Sequence, residues 1–208
     1  GSFNFLLNLK FCLKGLKRIS KMRFVIQRVS SASVTVDEKI VGQIGKGLLV
    51  LVGLKQGDTK EEAQYLVNKA VKCRLWDDKD GKSWKCAVPD FDGEILVVSQ
   101  FTLFGSLKKG NKPDFHLSMK PDEARALYDE TVEMFKKAYK PDKIQTGEFQ
   151  ALMQVSLTND GPVTLQLDTD ELFAAQRAHA EKFDKKGSDT KKQETKETQN
   201  GEGNPKKE

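Results

Sequence analysis

Cysteine is scarce in this chain, and the three present, Cys12, Cys73 and Cys86, form no CxxC pair. An odd number of widely spaced thiols indicates neither a disulfide framework nor a zinc site, and a reducing, cytoplasmic compartment fits. Histidine is rarer still. His116 and His179 each stand without a partner at metal-ligand spacing, so no metal and no cofactor are expected. Acidic residues are missing from the first 36 positions, where Lys10, Lys14, Lys17, Arg18 and Lys21 interrupt a Leu- and Phe-rich segment. On a helical wheel Leu6, Leu9, Leu13, Leu16 and Ile19 share one face, with most of those cations on the other. The segment is too short and too charged to span a bilayer and has no small-residue cleavage site. Residues 3–21 resemble an organellar presequence, or translated sequence upstream of Met22, and Gly1-Ser2 reads as a cloning scar outside the fold.

Large apolar residues are also missing after Phe183. A segment of that composition cannot bury enough surface to offset its ordering entropy, so residues 171–208 are expected to form a charged, disordered tail. Its lysines alternate with Glu and Asp, and the positive excess is small. It reads either as a loose RNA-attracting tail or as a solvated terminus.

Between the two ends, residues 22–170 read as one α+β domain: a mainly antiparallel or mixed sheet curled into a partial barrel, with two helices packed on it. "RFVIQRVSSASVTV" (23–36), "KIVGQIG" (39–45) and "GLLVLVGL" (47–54) are β-rich runs separated by turn residues, and the third, apolar throughout, is expected at the centre. Thr59 and Glu62 have capping-box spacing. Ala63, Leu66, Val67, Ala70 and Val71 then recur at helical intervals. "EILVVSQFTLF" (94–104) begins as a buried strand. A second helix starts near Pro121, with Asp122 and Glu123 in its first turn and Lys136, Lys137 and Lys140 in its last, before Pro141 ends it. Strands are expected near 150–158 and 162–168.

Three stretches could carry chemistry. In "SLTNDGPVTLQL" (156–167) a Gly161-Pro162 pair interrupts two alternating runs; on its residues alone this is a hairpin turn, with Asn159 and Asp160 as turn formers. In "SQFTLFG" (99–105) a buried strand turns abruptly polar. Ser99, Gln100 and Thr102, with free N–H groups, could form an oxyanion hole, or Ser99 and Thr102 could merely satisfy local backbone. "KKGNKPDFH" (108–116) is basic and loop-like, suited to a phosphate-bearing partner or to plain solvation. A Ser or Thr nucleophile needs an adjacent base, and His116 is the only histidine inside the domain.

Taken in order and spacing, "MRFVIQRVSSASVTV", "GLLVLVGL", "SQFTLFG", "KPDFH" and "QTGEFQALMQVSLTNDGPVT" resemble the D-aminoacyl-tRNA deacylase (D-tyrosyl-tRNA deacylase) family over about residues 22–168. The resemblance implies a homodimeric hydrolase that cleaves the ester joining a D-amino acid, or glycine mischarged on a non-cognate tRNA, to the terminal adenosine. It implies a site in which Ser99, Gln100, Phe101 and Thr102 hold the scissile ester and Phe149 packs beside the adenosine or the amino-acid pocket. It further implies that the Gly161-Pro162 bond is cis and enters the other subunit's site. There, paired carbonyls meet the substrate ammonium and exclude an L-side chain. Arg28 would brace that loop through its carbonyls, and Asn159 would fix its turn. Bacterial members carry serine where this chain has His116, which argues against a general base at that position and favours the tRNA's own 2′-hydroxyl, or water, with the protein positioning the ester. A different class, a nucleic-acid-binding protein with an enzyme-derived scaffold, would put the work in the C-terminal tail instead.

Overall fold

A computed structural model of the chain describes residues 22–108 and 110–169. The readings of residues 1–21 and of the C-terminal tail lie outside the described residues.

The sheet is built around one long strand. β1 (Arg23–Val36) pairs antiparallel on one side with β3 (Gly47–Gly53) through its first half and with β2 (Lys39–Ile44) through its second. Its other side carries β6 (Gln154–Asp168), antiparallel along nearly its full length. β4 (Glu94–Ser99) lies parallel to β3, and β5 (Ile144–Thr146) lies parallel to β4, so the sheet is mixed. Parallel neighbours need a crossover, and two helices supply it: α1 (Lys60–Lys72) between β3 and β4, and α2 (Pro121–Ala138) between β4 and β5.

The sheet curls until β2 approaches β5, which makes a nearly closed barrel. The approach is close enough to require glycine, because a Cβ at Gly42 would stand 2.2 Å from the Thr146 carbonyl oxygen. Inside the curl, Val29, Ala32, Val34, Ile44, Leu49, Leu96 and Val98 form one buried cluster. Alternation sends Leu48 and Val50 to the opposite face of β3, and both are buried as well. β3 is therefore covered on both faces, as its unbroken apolar run implies.

The helices form where the sequence says they should. At the start of α1 the Glu62 carboxylate accepts from the Thr59 backbone N–H at 2.7 Å, completing the capping box. α2 has Pro121 in its first turn and presents Phe135 to Phe24 of β1, with ring centroids 6.1 Å apart. It ends at Ala138, earlier than expected, and Lys140 does not cap it. Lys140 reaches the Asp92 carboxylate instead, at 2.7 Å.

The hairpin reading of residues 156–167 is wrong. Leu157 pairs with Ala32 and Leu165 with Ile26 on the same strand, so the chain does not reverse. Gln27 pairs with Thr164 and Val29 with Asn159, which leaves the four residues 160–163 looped out opposite Arg28 alone. The break is an enlarged bulge inside one strand, and the two strands expected near 150–158 and 162–168 are a single β6. Among the described residues no helix is long and apolar enough to cross a membrane.

Candidate active site

β4 delivers the polar stretch to the rim of the sheet. Its last residue, Ser99, pairs with Val52, and the Gln100 N–H donates to the Val52 carbonyl at 2.8 Å. The chain then tightens into a 3-10 turn, Phe101–Phe104, and the Gln100 side-chain amide donates to Thr102 Oγ1 at 2.5 Å. A helical start leaves its first N–H groups unpaired. Those of Phe101 and Thr102 have no acceptor among the described residues and are open to a ligand.

The turn is tied down from several sides. Arg23 donates to the Leu103 carbonyl at 2.8 Å and to the Asp168 carboxylate at 3.2 Å, while its guanidinium lies over the Phe104 ring. The Ser118 hydroxyl donates to the Phe101 carbonyl at 3.0 Å, and the Phe115 ring packs edge-on against Phe101 at 5.0 Å. Phe101 stays exposed despite these contacts. A side chain of that size facing solvent beside open donors is a surface for a flat ligand.

Beside the turn opens a cavity of about 750 Å³. Ser99, Gln100, Phe101, His116 and Phe149 all line it, with Val52, Val98, Met153 and Val155 contributing apolar wall. Phe149 comes from the loop between β5 and β6. Its ring rests on Tyr128 of α2 at 5.5 Å, under the guanidinium of Arg125 at 5.2 Å. The Tyr128 hydroxyl is buried and donates to the Val97 carbonyl at 2.9 Å; burial, with Asp129 nearby, holds its proton on well above the usual tyrosine range.

Five of the expected site residues are thus around one cavity or at its edge: Ser99, Gln100, Phe101, Phe149, and Thr102 through its bond to Gln100. The other four are elsewhere in the chain. Arg28, Asn159, Gly161 and Pro162 do not line the cavity and make a separate construction on β1 and β6. There Arg28 Nε donates to the Asp160 carbonyl at 3.1 Å and pairs with the Asp160 carboxylate at 3.2 Å, and a second guanidinium nitrogen donates to the Leu75 carbonyl. The brace acts through Asp160, next to the Gly-Pro pair. Asn159 closes the loop: its side-chain oxygen accepts from Val163 N–H at 3.1 Å, and its amide donates to Thr164 Oγ1 at 2.9 Å. The Gly161-Pro162 peptide is cis. Gly161 has φ of 119°, and a Cβ there would meet the Arg28 guanidinium and the Val163 side chain at 2.9 Å each.

Sequence reasoning missed two residues. Arg23 and Tyr128 hold the turn and Phe149 through contacts 80 and 21 positions away, which no local pattern announces. His116, weighed above as a base, has a partner not expected from the sequence: its Nδ1 is 2.6 Å from the Asp114 carboxylate. Among the described residues no group of His, Cys, Asp and Glu is placed to hold a metal ion.

Comparison with known proteins shows the family. The family model described as D-Tyr-tRNA(Tyr) deacylase matches residues 25–168. A Dictyostelium discoideum protein named D-aminoacyl-tRNA deacylase is 50% identical over 151 residues, covering 72% of this chain and 99% of that protein. One of the same name from Plasmodium falciparum is 45% identical over 161 residues, 73% of this chain and 98% of that one. A solved structure named c-Myc DNA Unwinding Element Binding Protein superposes with a TM-score of 0.67 at 46% identity, covering 70% of this chain and 97% of its own. The chain belongs to the D-Tyr-tRNA(Tyr) deacylase family.

Proposed function

We infer that this protein is a hydrolase that cleaves the ester of D-aminoacyl-tRNA, releasing the free D-amino acid and the tRNA, and so acts in chiral proofreading of translation. What carries the reading is a cavity with open N–H donors at its strand-end rim and an exposed aromatic beside them, in a chain 50% identical over 151 residues to a protein of that name. In this reading Ser99, Gln100 and Thr102 position the scissile carbonyl, and the free N–H groups of the turn take the charge that develops on its oxygen. Phe101 and Phe149 offer flat apolar faces to the terminal adenosine. With no nucleophile–base pair placed at the turn among the described residues, the attacking oxygen in this reading is water or the tRNA's own 2′-hydroxyl.

Chiral selection belongs, on this reading, to Gly161-Pro162 of a second copy. Two observations support a homodimer that inserts this loop into its partner's cavity. The loop does not line the cavity of its own chain, and it projects from a strand whose neighbourhood leaves Leu152, Leu157 and Leu165 exposed, surface a second copy would cover. Glycine, having neither a D- nor an L-side chain, would also be accepted. The protein would act in the cytoplasm, on aminoacyl-tRNA, without a cofactor. Incubating the full chain with D-tyrosyl-tRNA tests this: release of free D-tyrosine with intact, rechargeable tRNA is expected, and an unchanged ester would refute it.

One observation favours a second reading. The similar solved structure is named for binding a DNA element, and a DNA-binding role for this chain would fit its net charge of +5. Truncation after Asp170 separates the two, since hydrolysis survives it if the domain is the enzyme and duplex binding is lost if the tail carries that role.

A further inference from the structure

His116 stands on the rim of the cavity that holds Ser99, Gln100 and Phe101, and its ring is held in one orientation. Asp114 is responsible. One carboxylate oxygen is 2.6 Å from His116 Nδ1 and the other accepts from the His116 backbone N–H at 3.0 Å, so both engage the same residue. The Asp114 backbone is fixed in turn by a reciprocal pair of bonds to Ser106, at 2.8 and 2.9 Å. The residue between them, Phe115, packs on Phe101, which registers the pair to the 3-10 turn.

A carboxylate can only accept, so in the neutral imidazole Nδ1 carries the proton and Nε2 keeps its lone pair. Ser118, the neighbouring polar residue on the same wall, already gives its hydroxyl to the Phe101 carbonyl. With its Nδ1 fixed on Asp114, His116 presents Nε2 as an oriented acceptor on this wall, suited to a hydroxyl donor on the ligand. If the ester is in the cavity beside Ser99 and Gln100, the ribose that carries it is at the rim, and its free hydroxyl is a donor of the right kind. That hydroxyl is also what separates RNA from DNA at a single nucleotide.

We propose that His116 is a binding residue for the 2′-hydroxyl of the terminal ribose, with Nε2 as acceptor, and that Asp114 is a positioning residue that fixes its tautomer. The inference rests on the deacylase reading and names a contact within it. It also gives the histidine a role that does not require it to be a general base.

The test uses two non-hydrolysable nucleosides, adenosine carrying a D-tyrosyl group as a 3′-amide and the same compound lacking the 2′-hydroxyl. Their dissociation constants are measured by calorimetry on the full-length protein. One hydrogen bond of this kind is worth about three- to tenfold in affinity, so wild type is expected to prefer the 2′-hydroxyl compound by that factor. His116→Ala should abolish the preference by weakening that compound alone. Asp114→Asn should reduce it, because an amide can donate to Nδ1 and turn the tautomer over, and His116→Gln, which restores an acceptor, should recover part of it. Equal loss on both compounds, or no loss on either, would overturn the proposal. A wild-type protein that binds both without preference would do the same and leave the deacylase reading standing. That reading fails separately if the same preparation leaves D-tyrosyl-tRNA intact.

Discussion

At the scale of single residues, the candidate site divides into groups that face the cavity and groups that hold them. Thr102 is on the first side only through Gln100, whose amide it accepts. Its hydroxyl has no base within reach among the described contacts, so its part is positioning. Thr102→Ala is therefore expected to retain measurable hydrolysis, reduced by up to the roughly 10²–10³-fold that loss of one well-placed polar group costs. Single-turnover rates on D-tyrosyl-tRNA would show it, and complete loss in a folded variant would restore Thr102 as nucleophile. Gly161 is constrained from two directions, by a φ of 119° that L-residues rarely adopt and by the Arg28 guanidinium where a Cβ would go. Gly161→Ala should displace the loop and weaken D-substrate hydrolysis at least tenfold, while the melting temperature falls by only a few degrees, because the loop lies outside the paired segments of β6. Parallel rate and thermal-unfolding measurements would check both halves.

At the scale of elements, what was legible in the sequence was what local pattern encodes. β1, β3 and β4 follow their β-rich runs, and α1 follows its capping box and its apolar spacing. β5, three residues long, was missed because it is specified by its parallel pairing with β4 and not by its own composition. Asn159-Asp160-Gly161-Pro162 was misread as a hairpin for the same reason. Turn chemistry reports that the chain bends, and only the partner strand decides whether it reverses or bulges. Of the candidate cavity, Ser99 to Phe101 could be picked out from a contiguous polar stretch and Phe149 from the family resemblance alone; the packing that fixes them, Arg23 and Tyr128, could not.

The turn before β4 offers a pH prediction at this scale. Lys140 and Lys143 hydrogen-bond to Asp92 and lower its pKa to about 2. A carboxylate whose folded pKa lies below its unfolded value contributes stability above the unfolded value and loses it as pH falls through the folded one. The contribution of Asp92 should therefore be complete above about pH 4 and disappear on acidification toward pH 2. Asp92→Asn should show a shallower fall in stability over that window by denaturant unfolding, and identical pH slopes in both proteins would contradict it. Exposure keeps the effect small.

At the scale of the whole molecule, the cavity and the Gly-Pro loop lie apart in one chain, and we propose that they are two halves of a device completed in a dimer. A two-fold dimer would supply each cavity with its neighbour's loop through a self-complementary interface. Sedimentation at concentrations used for assay is expected to give a dimer, and a fully active monomer would contradict the cross-subunit account. If the loop then meets the substrate's Cα with backbone alone, discrimination works by excluding the wrong hand, and side chains around the cavity matter more for rate than for chirality.

The most direct measurement is hydrolysis of matched D- and L-tyrosyl-tRNA, with glycyl-tRNA as the substrate lacking either side chain, by one preparation of the full chain. The account predicts rapid loss of the D-ester, detectable loss of the glycyl ester, and an L-ester that persists at its spontaneous rate. Comparable hydrolysis of the D- and L-esters would contradict it.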